Sequence, residues 1–146
     1  MIPDFEPSGL LAPGIHLAAW AEIVERFGYN PQRESLLGAL RRALDALRTA
    51  GCVAAYLDGS FVTAKKVPGD YDMCWSLQGV DPTRLDPVLL NFDNHRQAMK
   101  AKYQGDLFPA EIPEGNSGKV FLDFFQTDKD TGAAKGVVLI DLRRFP

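Results

Sequence analysis

Tyr56-Leu-Asp-Gly-Ser-Phe-Val-Thr-Ala-Lys-Lys-Val-Pro-Gly-Asp-Tyr-Asp-Met-Cys-Trp75 is the stretch whose reading decides the fold. An apolar strand ends in Gly59-Ser60, a loop with Lys65 and Lys66 follows, and a Pro-Gly turn leads into a second strand carrying Asp70 and Asp72. Side chains on a strand alternate with period two, so both carboxylates project from one face while Tyr71 and Met73 face the other way. Two acids held together repel unless a proton or cation lies between them, and oxygen-only ligands suit hard cations such as Mg²⁺. Glycine lets the backbone approach a phosphate closely, and the Ser60 hydroxyl can donate to its oxygens. Taken alone, Gly59-Ser60 is also an ordinary turn.

Working outward, Cys52 to Leu57 is a short apolar run between Gly51 and Asp58-Gly59, the pattern of a strand buried on both faces. Upstream, residues 1–14 carry Pro3, Pro7, Pro13, Gly9 and Gly14, which predicts an extended arm docked by Ile2, Phe5, Leu10 and Leu11. A helical pair is expected over 15–50. The first helix, His16 to Phe27, is marked by Leu17, Trp20, Ile23, Val24 and Phe27. The second is capped by Asn30, started by Pro31 and closed by Gly51. Arg33, Arg41, Arg42 and Arg48 read as the second helix's solvated face.

Residues 52–146 complete a single domain with a sheet region. Asp81-Pro82-Thr83 reads as a helix start running into Leu85 and Leu90, and 93–104 as a further helix whose Arg96, Lys100 and Lys102 read as a solvated face, with a basic stripe for a nucleic acid or triphosphate as the alternative. Gly105 to Gly118, rich in Gly and Pro and holding Asp106, Glu111 and Glu114, reads as a loop bordering the site. Val120 to Phe125, Val-Phe-Leu-Asp-Phe-Phe, reads as a strand with one charge, Asp123. A carboxylate among such neighbours needs a partner, either a cation shared with Asp70 and Asp72, an arginine, or backbone N–H groups. Val137 to Ile140 returns to the core.

At 146 residues with 46% hydrophobic and 24% charged residues the chain is one ordinary globular domain, and a net charge of −3 gives no overall attraction for nucleic acid. No apolar run approaches a membrane span or a secretory leader, so a soluble cytoplasmic protein without membrane partners is expected. Cys52 and Cys74 sit in separate apolar runs, which favours buried thiols. With only His16 and His95 beside them, structural zinc is disfavoured.

Gly-Ser, nine residues, then Asp-x-Asp resembles the signature of the nucleotidyltransferase superfamily, which includes DNA polymerase beta and the minimal nucleotidyltransferases. The longer wording, Leu57 to Thr63 with Lys65, Pro68, Asp70 and Asp72, is similar to a small bacterial and phage branch of it, as is the opening Gly9 to His16. The resemblance implies an α/β (α+β) fold with a mixed sheet flanked by helices, and transfer of NMP from an NTP, such as ATP, to a protein, RNA or small-molecule acceptor. It further implies two Mg²⁺ or Mn²⁺ ions held by Asp70, Asp72 and Asp123, and phosphates held by Gly59 and Ser60 with Thr63 and Lys65 or Lys66. A partner protein in a toxin–antitoxin or defence setting belongs to the same expectation. The alternatives are a non-catalytic nucleotide-binding protein and a metal-dependent phosphodiesterase.

Overall fold

A computed structural model describes residues 1–146. A five-stranded mixed sheet runs in the order β1 (Gly14–Leu17), β5 (Gly136–Asp141), β2 (Ala54–Asp58), β3 (Tyr71–Trp75), β4 (Gly105–Pro109). The β1–β5 and β3–β4 pairs are parallel, and β2 is antiparallel to both of its neighbours. Four helices accompany it: α1 (Trp20–Phe27), α2 (Pro31–Thr49), α3 (Asp93–Tyr103) and α4 (Phe121–Phe125). No helix is long and apolar enough to cross a membrane.

The sheet separates two apolar clusters, and the pleat assigns residues to them. Leu57, Met73, Trp75, Leu107, Val138 and Ile140 join the main core with Leu36, Leu40, Leu44 and Leu47 of α2. The other face carries Cys74 and Val137 with Phe125, flanked by Tyr56, Phe108 and Phe121, so α4 covers only part of it. Asp72 and Asp106 lie two residues from Cys74 and Phe108, hence on this second, less covered face. Both cysteines are buried free thiols, and burial pushes the Cys52 thiol up to about 11.

The N-terminal arm docks as expected, with Ile2 and Leu11 buried and Phe5 packed on Phe27. Several sequence expectations are corrected. His16 and Leu17 belong to β1, and the first helix starts only at Trp20. The apolar spacing is shared by the two elements, and a strand's pairing with β5 outweighs one extra helical turn. The segment after Asp81 forms a turn and then a single 3-10 turn, Pro87–Leu90, capped by Asp86. Gly105–Pro109 is a strand instead of a loop. Its Gly and Pro stand at the two ends, where a strand tolerates them, and a Cβ on Gly105 would come within 2.7 Å of the Tyr71 ring. Phe121–Phe125 is a helix instead of a strand. Its aromatics pack at helical steps, Phe121 against Phe125, with ring centroids 6.0 Å apart.

Arg33 is the largest departure. It is fully buried instead of solvated, and its guanidinium donates to the carbonyls of Phe27, Phe61, Thr63, Lys65 and Lys66. Asn30 and Gln32, at the same end of α2, donate to the carbonyls of Lys66 and Pro68. The first turn of α2 is thus a clamp on the loop between β2 and β3.

Candidate functional site

Three adjacent strands present acids in register. Asp58 on β2 lies opposite Asp72 on β3, and Asp72 lies opposite Asp106 on β4. Asp70 precedes β3 on the same face. Oxygen atoms of Asp70, Asp72 and Asp106 all fall within 4.8 Å of one another. Asp106 therefore stands where the sequence reading placed Asp123. Asp123 is exposed on α4 and outside this group, so its carboxylate is solvated and needs no cation. The signal that would have found Asp106 is its alternation with Leu107 and Phe108 in Asp-Leu-Phe, hidden by the flanking Gly and Pro.

The row of acids is unevenly neutralised. At one end Lys135 Nζ lies 2.9 and 3.0 Å from the two Asp58 oxygens; burial raises the Asp58 carboxyl and Lys135 opposes that rise. At the other end Arg96 Nε donates to Asp106 Oδ1 at 2.8 Å and Lys100 Nζ stands 3.8 Å from the same oxygen, leaving Oδ2 without an ion pair. Arg96, Lys100 and Lys102 are therefore not a plain solvated stripe, since Lys102 also pairs with Asp86. Between the ends, neither Asp70 nor Asp72 has an ion-pair or hydrogen-bond partner within the chain. Burial, with repulsion from Asp70, Asp58 and Asp106, pushes the Asp72 carboxyl up to about 7. Burial and Asp106 raise Asp70 as well.

Beside the acids opens a cavity of about 430 Å³, lined by Asp58, Gly59, Ser60, Thr63, Lys65, Asp70, Asp72, Phe124 and Lys135 among others. Gly59 has φ +80° and ψ −170°, and a Cβ there would meet Asp72 Oδ2 at 2.7 Å. Only glycine joins β2 to the Ser60–Val62 turn this close to the acid. The Thr63 hydroxyl donates to the Ser60 carbonyl at 2.7 Å and pins that turn. Lys65 reaches the cavity, whereas Lys66 is exposed and outside its lining, serving the clamp through its carbonyl. Lys135 is a cavity residue that sequence reading missed, because it lies in a polar turn with nothing to tie it to Asp58 across 77 positions. His16 is satisfied by a hydrogen bond to the Ala12 carbonyl, and His95 is exposed; both stand apart from the site.

A mixed α/β domain with a Gly-Ser turn and three clustered carboxylates at one end of its sheet is the class of protein that the fold and site define. Residues 3–141 match the family model described as a family of unknown function, DUF6932, and the chain belongs to that family. No curated protein and no solved structure matches it.

Proposed function

We propose that this chain is a metal-dependent nucleotidyltransferase that moves NMP from an NTP to an acceptor. The observation that carries the reading is the meeting of Asp70, Asp72 and Asp106 beside Gly59-Ser60 on one face of the sheet. The donor set fits a hard divalent cation: its ligand atoms are carboxylate oxygens, and Asp70 and Asp72 have no counter-charge of their own. Asp70 and Asp72 would hold it, with Asp106 adjacent. When bound, such a cation neutralises charge on the attacking and leaving oxygens.

The remaining work belongs to the chain. Ser60 and the neighbouring backbone N–H groups hold the phosphates, with Lys65 countering their charge. An acceptor oxygen attacks the α-phosphorus, the bond to the β-phosphate breaks, and pyrophosphate leaves with the electron pair. Asp106 lies on the edge strand two places from β2, which leads to Ser60, and has Oδ2 free, so it takes the acceptor's proton.

A second reading, a nucleotide-binding protein without transfer activity, draws on the Arg96–Asp106 ion pair, which engages one of the three acids. Incubation with each α-labelled NTP, Mn²⁺ and a cell lysate separates the two. Transfer predicts label in a macromolecule, lost in an Asp70→Asn, Asp72→Asn double variant, and digestion with protease or ribonuclease assigns the acceptor class. Nucleotide bound with no label transferred favours the second reading. Label unchanged in the double variant removes the assigned site.

A further inference from the structure

We propose that the site takes one divalent cation, at Asp70 and Asp72, and that the Arg96 guanidinium stands at Asp106 in the place of a second. The inference rests on the reading above and replaces the two ions that the family resemblance implies.

Charge along the acidic row supports it. Lys135 neutralises Asp58 and Arg96 with Lys100 neutralises Asp106, while the two carboxylates between them have no partner. Two carboxylates without an ion pair suit one divalent ion, and a second ion at Asp106 would sit against the positive charge of a guanidinium already bonded to Oδ1 at 2.8 Å.

Backbone conformation is an independent observation. Asn94, His95 and Arg96 have φ of 52°, 56° and 63°, three successive left-handed residues at the start of α3. Such a conformation is unfavourable for residues other than glycine and persists only where surrounding contacts over-determine it. Those contacts converge on Arg96. Its guanidinium lies 5.4 Å from the Phe108 ring centre, and Phe92, just before the strained residues, stacks on the same ring with centroids 5.7 Å apart and planes within 11°. The strained turn and the aromatic stack hold the cation of Arg96 on Asp106, as a built arrangement would. Arg96 engages Oδ1 alone, so it neutralises Asp106 and leaves Oδ2 open to an acceptor.

Counting bound Mn²⁺ by the electron paramagnetic resonance signal of the free ion, with the full chain and the metal alone, tests the proposal. The wild type is expected to bind one ion per chain, and an Arg96→Gln, Lys100→Gln double variant, which clears both cations from Asp106, two. Arg96→Lys, which keeps the charge, and Lys102→Gln, which removes a charge paired elsewhere, are expected to bind one. Two ions or none on the wild type, a count of one for a folded double variant, or a second ion on Lys102→Gln overturns it. The wild-type count decides even if the double variant does not fold. Two ions on the wild type leave the metal-dependent reading standing, whereas none on any of the proteins removes both.

Discussion

Asp72 shows how a single residue's position in the fold sets its chemistry. On the sequence it is one polar position in a strand. In the structure it sits between Asp58 and Asp106 across the sheet, with Asp70 beside it, and burial, followed by repulsion from these acids, pushes it up to about 7 from an ordinary 3.8. A carboxyl whose folded-state pKa is raised binds a proton more tightly in the native than in the unfolded chain. Without metal, its contribution to stability is therefore present below about pH 4 and is lost as pH rises to about 7. Asp72→Asn is expected to flatten that decline and to be more stable than the wild type at pH 8 by an amount on the order of 1 kcal/mol. Urea unfolding at pH 5 and pH 8 in a chelator measures it, and an equal fall in stability for both proteins would contradict a raised Asp72 carboxyl. Added Mn²⁺ is expected to stabilise the wild type and leave the variant largely unmoved.

At the scale of elements, α2 does more than fill the core. Leu36, Leu40, Leu44 and Leu47 bind it to the sheet, while Asn30, Gln32 and Arg33 in its first turn hold the loop that carries Ser60, Thr63 and Lys65. Arg33 has no acidic partner and is fully buried, and burial lowers its pKa; its charge is met by carbonyl dipoles instead. Arg33→Met would leave those carbonyls without their donor in the interior. It is expected to cost about 3 kcal/mol of stability and to weaken nucleotide binding, even though the residue lies outside the cavity lining. Thermal melts with and without nucleotide check both effects. A melt within a degree of wild type would mean that the loop holds itself.

On the scale of the whole molecule, the parallel pairing of β3 and β4 assembles the site. A parallel pair needs a long crossover, here the segment that contains α3, and the same helix delivers Arg96 and Lys100 to Asp106. The third acid is therefore brought by a connection of about thirty residues, in keeping with such crossovers. Asp106→Asn is expected to lower nucleotidyl transfer by about 10²-fold or more, the usual worth of a positioned proton acceptor, whereas Asp123→Asn leaves it within about twofold. Initial rates of label transfer compare the two, and the reverse order of effects would restore Asp123 to the site.

What the sequence by itself determined is local. The Gly59-Ser60 turn, the pairing of Asp70 with Asp72 on one face, the Asn30 cap with Pro31, and the strands about Leu57, Met73 and Val138 all follow from backbone preference and short periodicity. The tertiary structure alone decided which third acid joins them and which cations face the row. Asp106 and Asp123 are both single carboxylates among apolar residues, and nothing within a few positions of either says which one a neighbouring strand will meet. Register across β3 and β4 settles that, just as the fold's path settles that Lys135 meets Asp58 and that Arg33 turns inward to carbonyls. These are long-range contacts, stabilised by burial and pairing that exist only once the sheet has formed.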